Sequence, residues 1–246
     1  MKKFLGGGRI TAPPPYVYSG PALPAADLSG TAERIAAPLV FAKPANIDPF
    51  ETMFGMVRLS HKDEPWPVLE GEPLAPLLQI NLTHAPMVQG PVHDLCLISI
   101  FISEAHSTVP TQIIDSRTPD PSANWVLRSY TTQQGLTIPR PPKRRNHLKP
   151  LLGEWGPIGA EARPDYENGG AVLAQPLQSK LGGWPVPLHG KPWWAGAQLN
   201  DTWDFVMQVE NVPAAGWHGW GRGAACIARS RERPHLWAID VVASSC

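Results

Sequence analysis

The chain has 246 residues, and its 21 Lys+Arg balance its 21 Asp+Glu, so the formal net charge at pH 7 is zero. This balance argues against a dedicated nucleic-acid-binding protein, because phosphate contacts dominate the affinity of such proteins and make them basic. It also argues against a polyanionic DNA mimic, while a local acidic patch remains compatible with it. A chain of this length buries about 70–75% of its unfolded surface, which is enough for one large domain.

Proline and glycine are frequent, with 29 Pro and 22 Gly. Proline fixes φ and lacks an N–H donor, so it interrupts helices and central strands and favours stiff loops. With 17% charged residues and ten Trp, the composition is not that of a disordered chain. We therefore predict an α+β, mostly β fold with many short strands, proline-rich loops and few short helices.

The three cysteines, Cys96, Cys226 and Cys246, are an odd number and give no disulfide framework. Two of them lie in apolar runs and are most simply buried thiols. This use of cysteine fits a reducing compartment and predicts a cytoplasmic protein. No apolar run approaches the ~18 residues that a membrane helix needs, so we expect no membrane association.

Hydrophobic patterning and turn signals predict short elements along the chain. The expected helices lie at 27–37 and 48–53, and the expected strands at 39–41, 56–59, 77–82, 95–102 and 125–130. The segment 95–102 is nearly all apolar, as is usual for a strand buried on both faces.

The loop that follows residue 60 combines acidic residues with prolines and a tryptophan. Its candidate contact residues are Asp63, Glu64, Trp66, Glu70 and Glu72. We predict that they form a surface for a basic partner. A solvated face without a partner is the alternative.

Basic residues cluster among prolines between the two halves of the chain, at Arg140, Lys143, Arg144, Arg145 and Lys149. Such a cluster can bind phosphates or an acidic partner, but it more often forms a solvated linker. We predict a single domain spanning 1–246, with two pseudo-repeat halves at about 38–130 and 171–246 joined by this proline-rich, basic linker.

An internal duplication is suggested by landmarks at nearly constant spacing. Gln79 and Gln208, each in an apolar run, are 129 positions apart (208 − 79). The glycine turns that contain Gly55 and Gly183 are 128 apart (183 − 55), and Cys96 lies 130 before Cys226 (226 − 96). A Gln inside an apolar strand must find hydrogen-bond partners for its amide. We expect both glutamines to hold loop backbone against the sheet.

These segments resemble the YwqG-like family of bacterial domains of unknown function. The family pattern Ser-Lys-x-Gly-Gly-x-Pro is matched by Ser179, Lys180, Gly182, Gly183 and Pro185. The pattern apolar-Gln-Ile-Asn-apolar is matched by residues 78–82. A late Trp-Gly-Asp-x-Gly pattern is matched by Trp220, Gly221 and Gly223. Arg222 stands where the pattern has Asp, and the first half lacks the Ser-Lys and the glycine pair. The resemblance covers roughly residues 50–246. It implies two related β-rich halves and, for some members, immunity against a bacterial toxin.

Seven of the ten Trp lie late in the chain, at 184, 193, 194, 203, 217, 220 and 237. Trp203 and Trp237 have strand-like neighbours and are expected in the core. The partner-binding candidates in glycine- and proline-containing loops are Trp193, Trp194, Trp217, His218, Trp220 and Arg222. Large aromatic residues dominate interface hot spots, but they dominate cores as well.

No spacing typical of a metal site, a nucleophile elbow or a phosphate-binding loop occurs in the sequence, so we expect no metal, cofactor or catalytic residue. We predict a non-enzymatic, cytoplasmic immunity protein, or antitoxin. It would act as a monomer in a 1:1 complex, blocking the active site of a cognate bacterial toxin such as a secreted nuclease without binding nucleic acid itself. A small-molecule or carbohydrate binder using Trp-lined loops is one alternative, and an unrecognised hydrolase is another.

Overall fold

The computed structural model describes residues 33–44, 48–87, 90–103, 111–118, 124–142, 147–164, 178–186, 203–219 and 223–242. Within these ranges the strands are β1 (Glu33–Pro44), β2 (Met53–Phe54), β3 (Ser60–His61), β4 (Val68–Leu69), β5 (Glu72–Pro73), β6 (Ala75–Asn81), β7 (Leu97–Ile102), β8 (Thr111–Asp115), β9 (Trp125–Tyr130), β10 (Leu136–Thr137), β11 (Leu151–Trp155), β12 (Gly159–Ala162), β13 (Lys180–Gly182), β14 (Trp203–Glu210), β15 (Ala224–Ser230) and β16 (Leu236–Val242). The described helices are single 3-10 turns at Leu82–His84, Gly90–Val92 and Pro213–Ala215. The predicted mostly β class is confirmed.

Twelve of the strands form one antiparallel sheet. Its order is β8-β16-β15-β14-β13-β1-β11-β2-β6-β7-β9, and β12 also pairs with β1. The two ends of this order approach each other, since Ser129 Oγ in β9 donates to Ser116 Oγ just after β8 at 3.3 Å. The sheet is therefore nearly closed and barrel-like. Two small ribbons, β3 with β10 and β4 with β5, lie outside it. None of the described helices is long and apolar enough to cross a bilayer.

β1 is the strand on which the two halves of the sheet meet. It pairs with β12 and β13 along its first half and with β11 along its second half. The predicted helix at 27–37 is wrong over residues 33–37, because their backbone groups belong to this ladder; residues 27–32 lie outside the described part. Between the two predicted halves, β11 and β12 follow the proline-rich, basic segment and contribute two strands to the sheet.

One hydrophobic cluster fills the inside of the sheet and draws on both halves of the chain. Its largest fully buried members are Trp125 and Trp237, at 1% and 0% exposure, and they share it with Ile98 and Val206. Trp237 is thus in the core, as expected. Burial of aromatic side chains of this size contributes strongly to the stability of such a core.

The outer face of β6, β7 and β9 is buried as well. Phe101 and Val126 on this face pack with Leu69 and Leu74 from the segment that precedes β6. Because successive side chains of a strand alternate between faces, burial on both sides explains why β7 is almost entirely apolar. The segment 56–74, which follows β2, is therefore a second layer, and its backbone polar groups need partners.

Gln79 in β6 provides those partners. Its side chain is fully buried, and its Oε1 accepts from Arg58 N at 2.8 Å and Leu59 N at 3.0 Å. Its Nε2 donates to Pro49 O and Glu51 O, both at 2.9 Å. The predicted helix at 48–53 and strand at 56–59 are wrong, because these backbone groups bond to a side chain instead of a helix or a ladder.

Gln208 in β14 has the same role in the second half. Its side chain is 1% exposed; Oε1 accepts from Val186 N at 2.8 Å, and Nε2 donates to Gln178 O at 3.3 Å. The prediction that both glutamines fix loop backbone to the sheet is confirmed.

Further contacts correspond between the halves. Thr52 Oγ1 accepts from Asn81 N, and Ser179 Oγ accepts from Glu210 N, each at 3.1 Å. The ladders of β6 and β14 each shift register two residues before the Gln, between Pro76 and Leu78 and between Phe205 and Met207. These correspondences are geometric, and descent from one duplicated unit stays a prediction.

One landmark of the predicted repeat is wrong. Gln79 is paired across the ladder with Ser99, whereas Gln208 is paired with Cys226. Ser99 therefore occupies the position that corresponds to Cys226. Cys96 precedes β7 and does not share this register.

An ion pair between a buried arginine and a partly exposed aspartate holds the chain before β7 to the second half of the sheet. Arg229 in β15 is 6% exposed and donates to both Asp94 carboxylate oxygens, at 2.5 and 2.9 Å, and to Pro91 O. The hydrogen bond from Arg229 holds the pKa of Asp94 below its usual value.

We expect Asp94→Asn to lower the free energy of unfolding by about 1–2 kcal/mol at pH 6. The value is modest because the Asp94 side chain is 39% exposed and solvent screens the pair. Since the folded pKa is depressed, this stability is present above the unfolded pKa of about 3.9 and is lost as pH falls through the folded value. Urea unfolding of both forms at pH 6 and pH 3 should show the difference shrinking in acid, and a constant difference would contradict this origin.

Candidate binding surface

The acidic hairpin, residues 68–73, projects from the outer layer. β4 and β5 are joined by Glu70 and Gly71, which have φ values of 52° and 83°. Two consecutive residues with positive φ form the two-residue turn that matches the twist of a hairpin. Leu69 anchors the hairpin in the outer layer, while Glu70 and Glu72 are exposed. The hairpin thus presents two carboxylates on a fixed backbone.

In the loop before the hairpin, one acidic side chain is turned inward and the other is exposed to solvent. Glu64 turns inward, where its Oε2 accepts from Tyr130 Oη at 2.7 Å and from His61 N at 3.0 Å. Burial and this carboxylate raise the pKa of Tyr130. Asp63 is exposed, next to the exposed Lys62. Of the two acidic residues here, Asp63 alone is placed to meet a partner.

Trp66 stabilises the loop from within. Its Nε1 donates to Leu74 O at 2.9 Å, and its ring meets Phe101 edge-on with 5.1 Å between centroids. Arg128 donates to Pro65 O at 2.5 Å and so fixes the neighbouring backbone. The structure therefore gives Glu64 and Trp66 internal contacts and leaves Asp63, Glu70 and Glu72 as the exposed acidic set.

An apolar groove of about 520 Å³ opens beside the hairpin. Its lining includes Trp66 and Pro73 from the outer layer, and Ile138 and Pro142 from the proline-rich segment. Ile138 is 45% exposed, which is unusual for a large apolar side chain beside a solvent-facing groove. The sequence analysis did not predict this groove, because it treated the prolines of 138–150 only as a linker. The high density of prolines there was the feature that could have indicated it, since proline restricts φ and makes a segment stiff.

The second predicted contact set is corrected in part. Trp217 is 5% exposed, belongs to the core cluster and lies 6.5 Å from the Phe54 ring. Its prediction as a partner-binding residue is wrong for this structure, because the turn after Pro213–Ala215 directs the indole inward. His218 is exposed. Trp193, Trp194, Trp220 and Arg222 lie outside the described residues.

The Ser-Lys-x-Gly-Gly segment forms a buried structural pair. Lys180 Nζ lies 2.5 Å from Glu161 Oε2, with its side chain 1% exposed, and the same oxygen accepts from Trp184 N at 3.1 Å. Burial lowers the pKa of Lys180, and the Glu161 carboxylate opposes that shift. Gly183, with φ 73°, leaves space for Glu161, since a Cβ there would collide with the carboxylate. The Lys180 ammonium fixes the glycine turn and does not face solvent.

Neither of the two cysteines in the described residues has a reactive thiol. Cys226 is fully buried, and burial raises its pKa, with the Asp240 carboxylate adding to the shift. Burial also raises the pKa of Cys96 to about 11. The reactive species is the thiolate, which is scarce at such pKa values.

We therefore expect Cys96 and Cys226 to resist iodoacetamide at pH 8 in the native protein and to react at least tenfold faster in urea. Peptide mass spectrometry after timed alkylation measures each site separately. Rapid native labelling of Cys226 would contradict its placement in the core.

Within the described ranges, no group of three or more His, Cys, Asp or Glu side chains could hold a metal ion. No protein-family model matches the chain, and no curated protein matches its sequence.

Proposed function

We propose that the protein is a non-enzymatic, cytoplasmic immunity protein that binds and neutralises a cognate toxin. The observation that carries the proposal is the acidic hairpin with its fixed backbone and outward-facing carboxylates. The immunity role itself comes from the resemblance to the YwqG-like family, and the buried, unpaired thiols of Cys96 and Cys226 support a reducing compartment.

A rigid acidic surface favours a basic partner. Glu70 and Glu72 are exposed on a two-residue hairpin, and Asp63 adds a third exposed carboxylate. Complementary charge speeds association and selects the partner, and a fixed backbone lowers the entropy lost on binding. The active-site cleft of a nuclease is basic because its substrate is a polyanion. The carboxylates would occupy that cleft in place of phosphates.

The size of the surface is compatible with such a complex. A stable interface buries about 800 Å² per partner. The hairpin alone is smaller than that, so the partner would also contact neighbouring surface. The walls of the apolar groove adjoin the hairpin, since Pro73 lines the groove and pairs with the 52%-exposed Val68. An acidic tip beside an apolar strip provides both charge and apolar area.

The test is purification of the tagged protein from its native cell, with mass spectrometry of what co-purifies. The wild-type protein should retain a stoichiometric basic partner with a toxin or nuclease domain. The double variant Asp63→Lys/Glu70→Lys should weaken that complex at least a hundredfold, because two attractive contacts become repulsive. Lys adopts the positive φ required at position 70 no less readily than Glu does, so this substitution adds no backbone strain.

Glu232→Lys is the matched control, since Glu232 is an exposed acidic residue in the turn after β15. It makes one charge reversal of the same type, two units against four in the double variant, away from the hairpin, and should leave affinity within about twofold. Equal retention of the partner by the double variant and the control would overturn the assignment of the acidic hairpin as the binding surface. Absence of any stoichiometric partner would overturn the immunity role.

A second candidate function is favoured by the apolar groove. Its volume lies within the range of about 300–1,000 Å³ that small-molecule sites occupy. A small-molecule binder would retain no protein partner and would be stabilised by its ligand.

A further inference from the structure

The apolar groove leaves a large aliphatic side chain in contact with water. Ile138 is 45% exposed there, and Trp66 and Pro73 line the same groove. Removing apolar surface from water is favourable, and a contiguous exposed apolar patch is typical of a binding surface. A segment that covered the groove would therefore stabilise the folded chain, provided that the segment itself is apolar.

Charged residues of both signs adjoin the lining of the groove. The exposed Glu72 directly precedes the lining residue Pro73. The exposed Arg140 and Lys149 each lie between two lining residues in the sequence. An acidic occupant would be repelled by Glu72, and a basic one by Arg140 and Lys149. These opposite charges favour an occupant that is uncharged.

The chain itself contains such a segment before β1. Residues 10–26 lie outside the described part, and their sequence includes no Asp, Glu, Lys, Arg or His. Within them, three consecutive prolines at 13–15 are followed by Tyr16, Val17 and Tyr18. Consecutive prolines have fixed φ values, so such a segment loses little backbone entropy on binding. Proline-rich segments commonly dock in grooves with aromatic walls, and Trp66 provides an aromatic ring here.

The length of β1 sets the distance that this segment has to span. β1 runs from Glu33 to Pro44, and Pro44 pairs with Leu151, which follows the lining residue Pro150. The 11 residue steps of β1 (44 − 33) therefore place Glu33 about 36 Å from that end of the groove, at ~3.3 Å per residue. Tyr18 precedes Glu33 by 15 residues (33 − 18), and an extended chain of that length spans about 50 Å. Residues 10–18 can thus reach the groove while Glu33 stays in β1.

We propose that residues 10–18 of this chain occupy the apolar groove, with the prolines at 13–15 between Trp66 and Ile138. The covalent connection gives the segment an effective concentration in the millimolar range, so that a weak contact is sufficient. This inference goes beyond the proposed function, because the occupant is part of the chain itself. A partner that uses the apolar area beside the acidic hairpin would compete with the segment, whereas the exposed carboxylates of the hairpin stay available in either case.

Photo-crosslinking of the full chain tests the proposal. The photoreactive residue p-benzoylphenylalanine in place of Tyr16 should form crosslinks within the chain to peptides covering 55–58, 66–76 or 138–150, identified by mass spectrometry. The same probe in place of Phe4, whose neighbours include lysines, should give about fivefold fewer crosslinks to them, since nearby charges disfavour burial in an apolar groove.

Three outcomes would overturn the proposal. Equal yields from the two probe positions would show that the probe itself binds the groove. Crosslinks from position 16 to other peptides, or none at all, would show that the segment does not occupy the groove. Crosslinked dimers in place of crosslinks within one chain would identify the occupant as the segment of a second copy.

A matched pair of variants locates the contact. Ile138→Glu places a carboxylate in the groove lining and should lower the crosslink yield from position 16 about fivefold, because the contact would bury that charge. Ile113→Glu is the control, since Ile113 is 54% exposed on β8 and is not a lining residue of the groove. It should leave the yield unchanged. Both positions are exposed in the folded chain, so we expect both variants to fold, which circular dichroism checks. An undiminished yield in Ile138→Glu would overturn the location of the contact.

Discussion

Replacing Gln79 with Leu is expected to cost about 4 kcal/mol or more of unfolding free energy, a large share of the 5–15 kcal/mol that a domain of this kind possesses. The side chain is fully buried and bonds to four backbone groups of the segment 49–59. Leucine fills a similar volume but leaves those groups unpaired, and each buried group left so costs about 1–3 kcal/mol. Urea unfolding followed by circular dichroism measures the loss.

Two comparisons make this result specific. Gln208→Leu should cost less, about 2–3 kcal/mol, because Gln208 makes two bonds to loop backbone in place of four. Gln134→Leu changes an exposed side chain and should stay within about 0.5 kcal/mol of wild type. A Gln79→Leu variant as stable as Gln134→Leu would show that the outer layer does not depend on this side chain.

Replacing Trp217 with Ala is expected to destabilise the protein by about 3–5 kcal/mol, the usual cost of deleting a buried indole. Trp217 is 5% exposed within the core cluster, so a large cavity would remain. Trp217→Phe keeps part of the packing and should cost less. The midpoints of urea unfolding for the three proteins measure the series.

The exposed neighbour supplies the control. His218→Ala should change stability by less than about 0.5 kcal/mol, because its side chain faces solvent. If Trp217→Ala were instead as stable as wild type and lost partner binding, the indole would belong to an interface, as the sequence alone had predicted.

Much of the sheet could be predicted from the sequence because apolar runs bounded by turn residues are a local signal. The segments 77–82 and 125–130 are such runs, and the structure has strands at Ala75–Asn81 and Trp125–Tyr130. The role of the two glutamines was predictable as well, since an amide within an apolar strand has to be satisfied. In each case one residue and its neighbours contained the necessary information.

The errors arose where distant segments decide the conformation. Residues 33–37 have a helix-compatible composition, but the ladders with β12 and β13 hold them extended. Residues 56–59 are apolar enough for a strand, yet two of their N–H groups donate hydrogen bonds to the side chain of Gln79, twenty residues away. Nothing local to either segment indicates these partners.

The candidate site was predicted only in part for the same reason. The sequence located the acidic loop, but it could not show that Glu64 bonds to Tyr130 while Glu70 faces solvent. Trp217 in a glycine-rich loop has the same local signature whether it faces a partner or the core. The groove is lined both by Pro73 of the hairpin and by prolines of 138–150, segments some seventy residues apart.

The most direct test of the proposed function is hydrogen–deuterium exchange of the protein alone and with the partner that co-purifies with it. The account predicts slowed amide exchange in peptides covering 61–73, with little change in β14 to β16. Protection confined to those strands, with 61–73 unchanged, would contradict the assignment of the acidic hairpin as the binding surface.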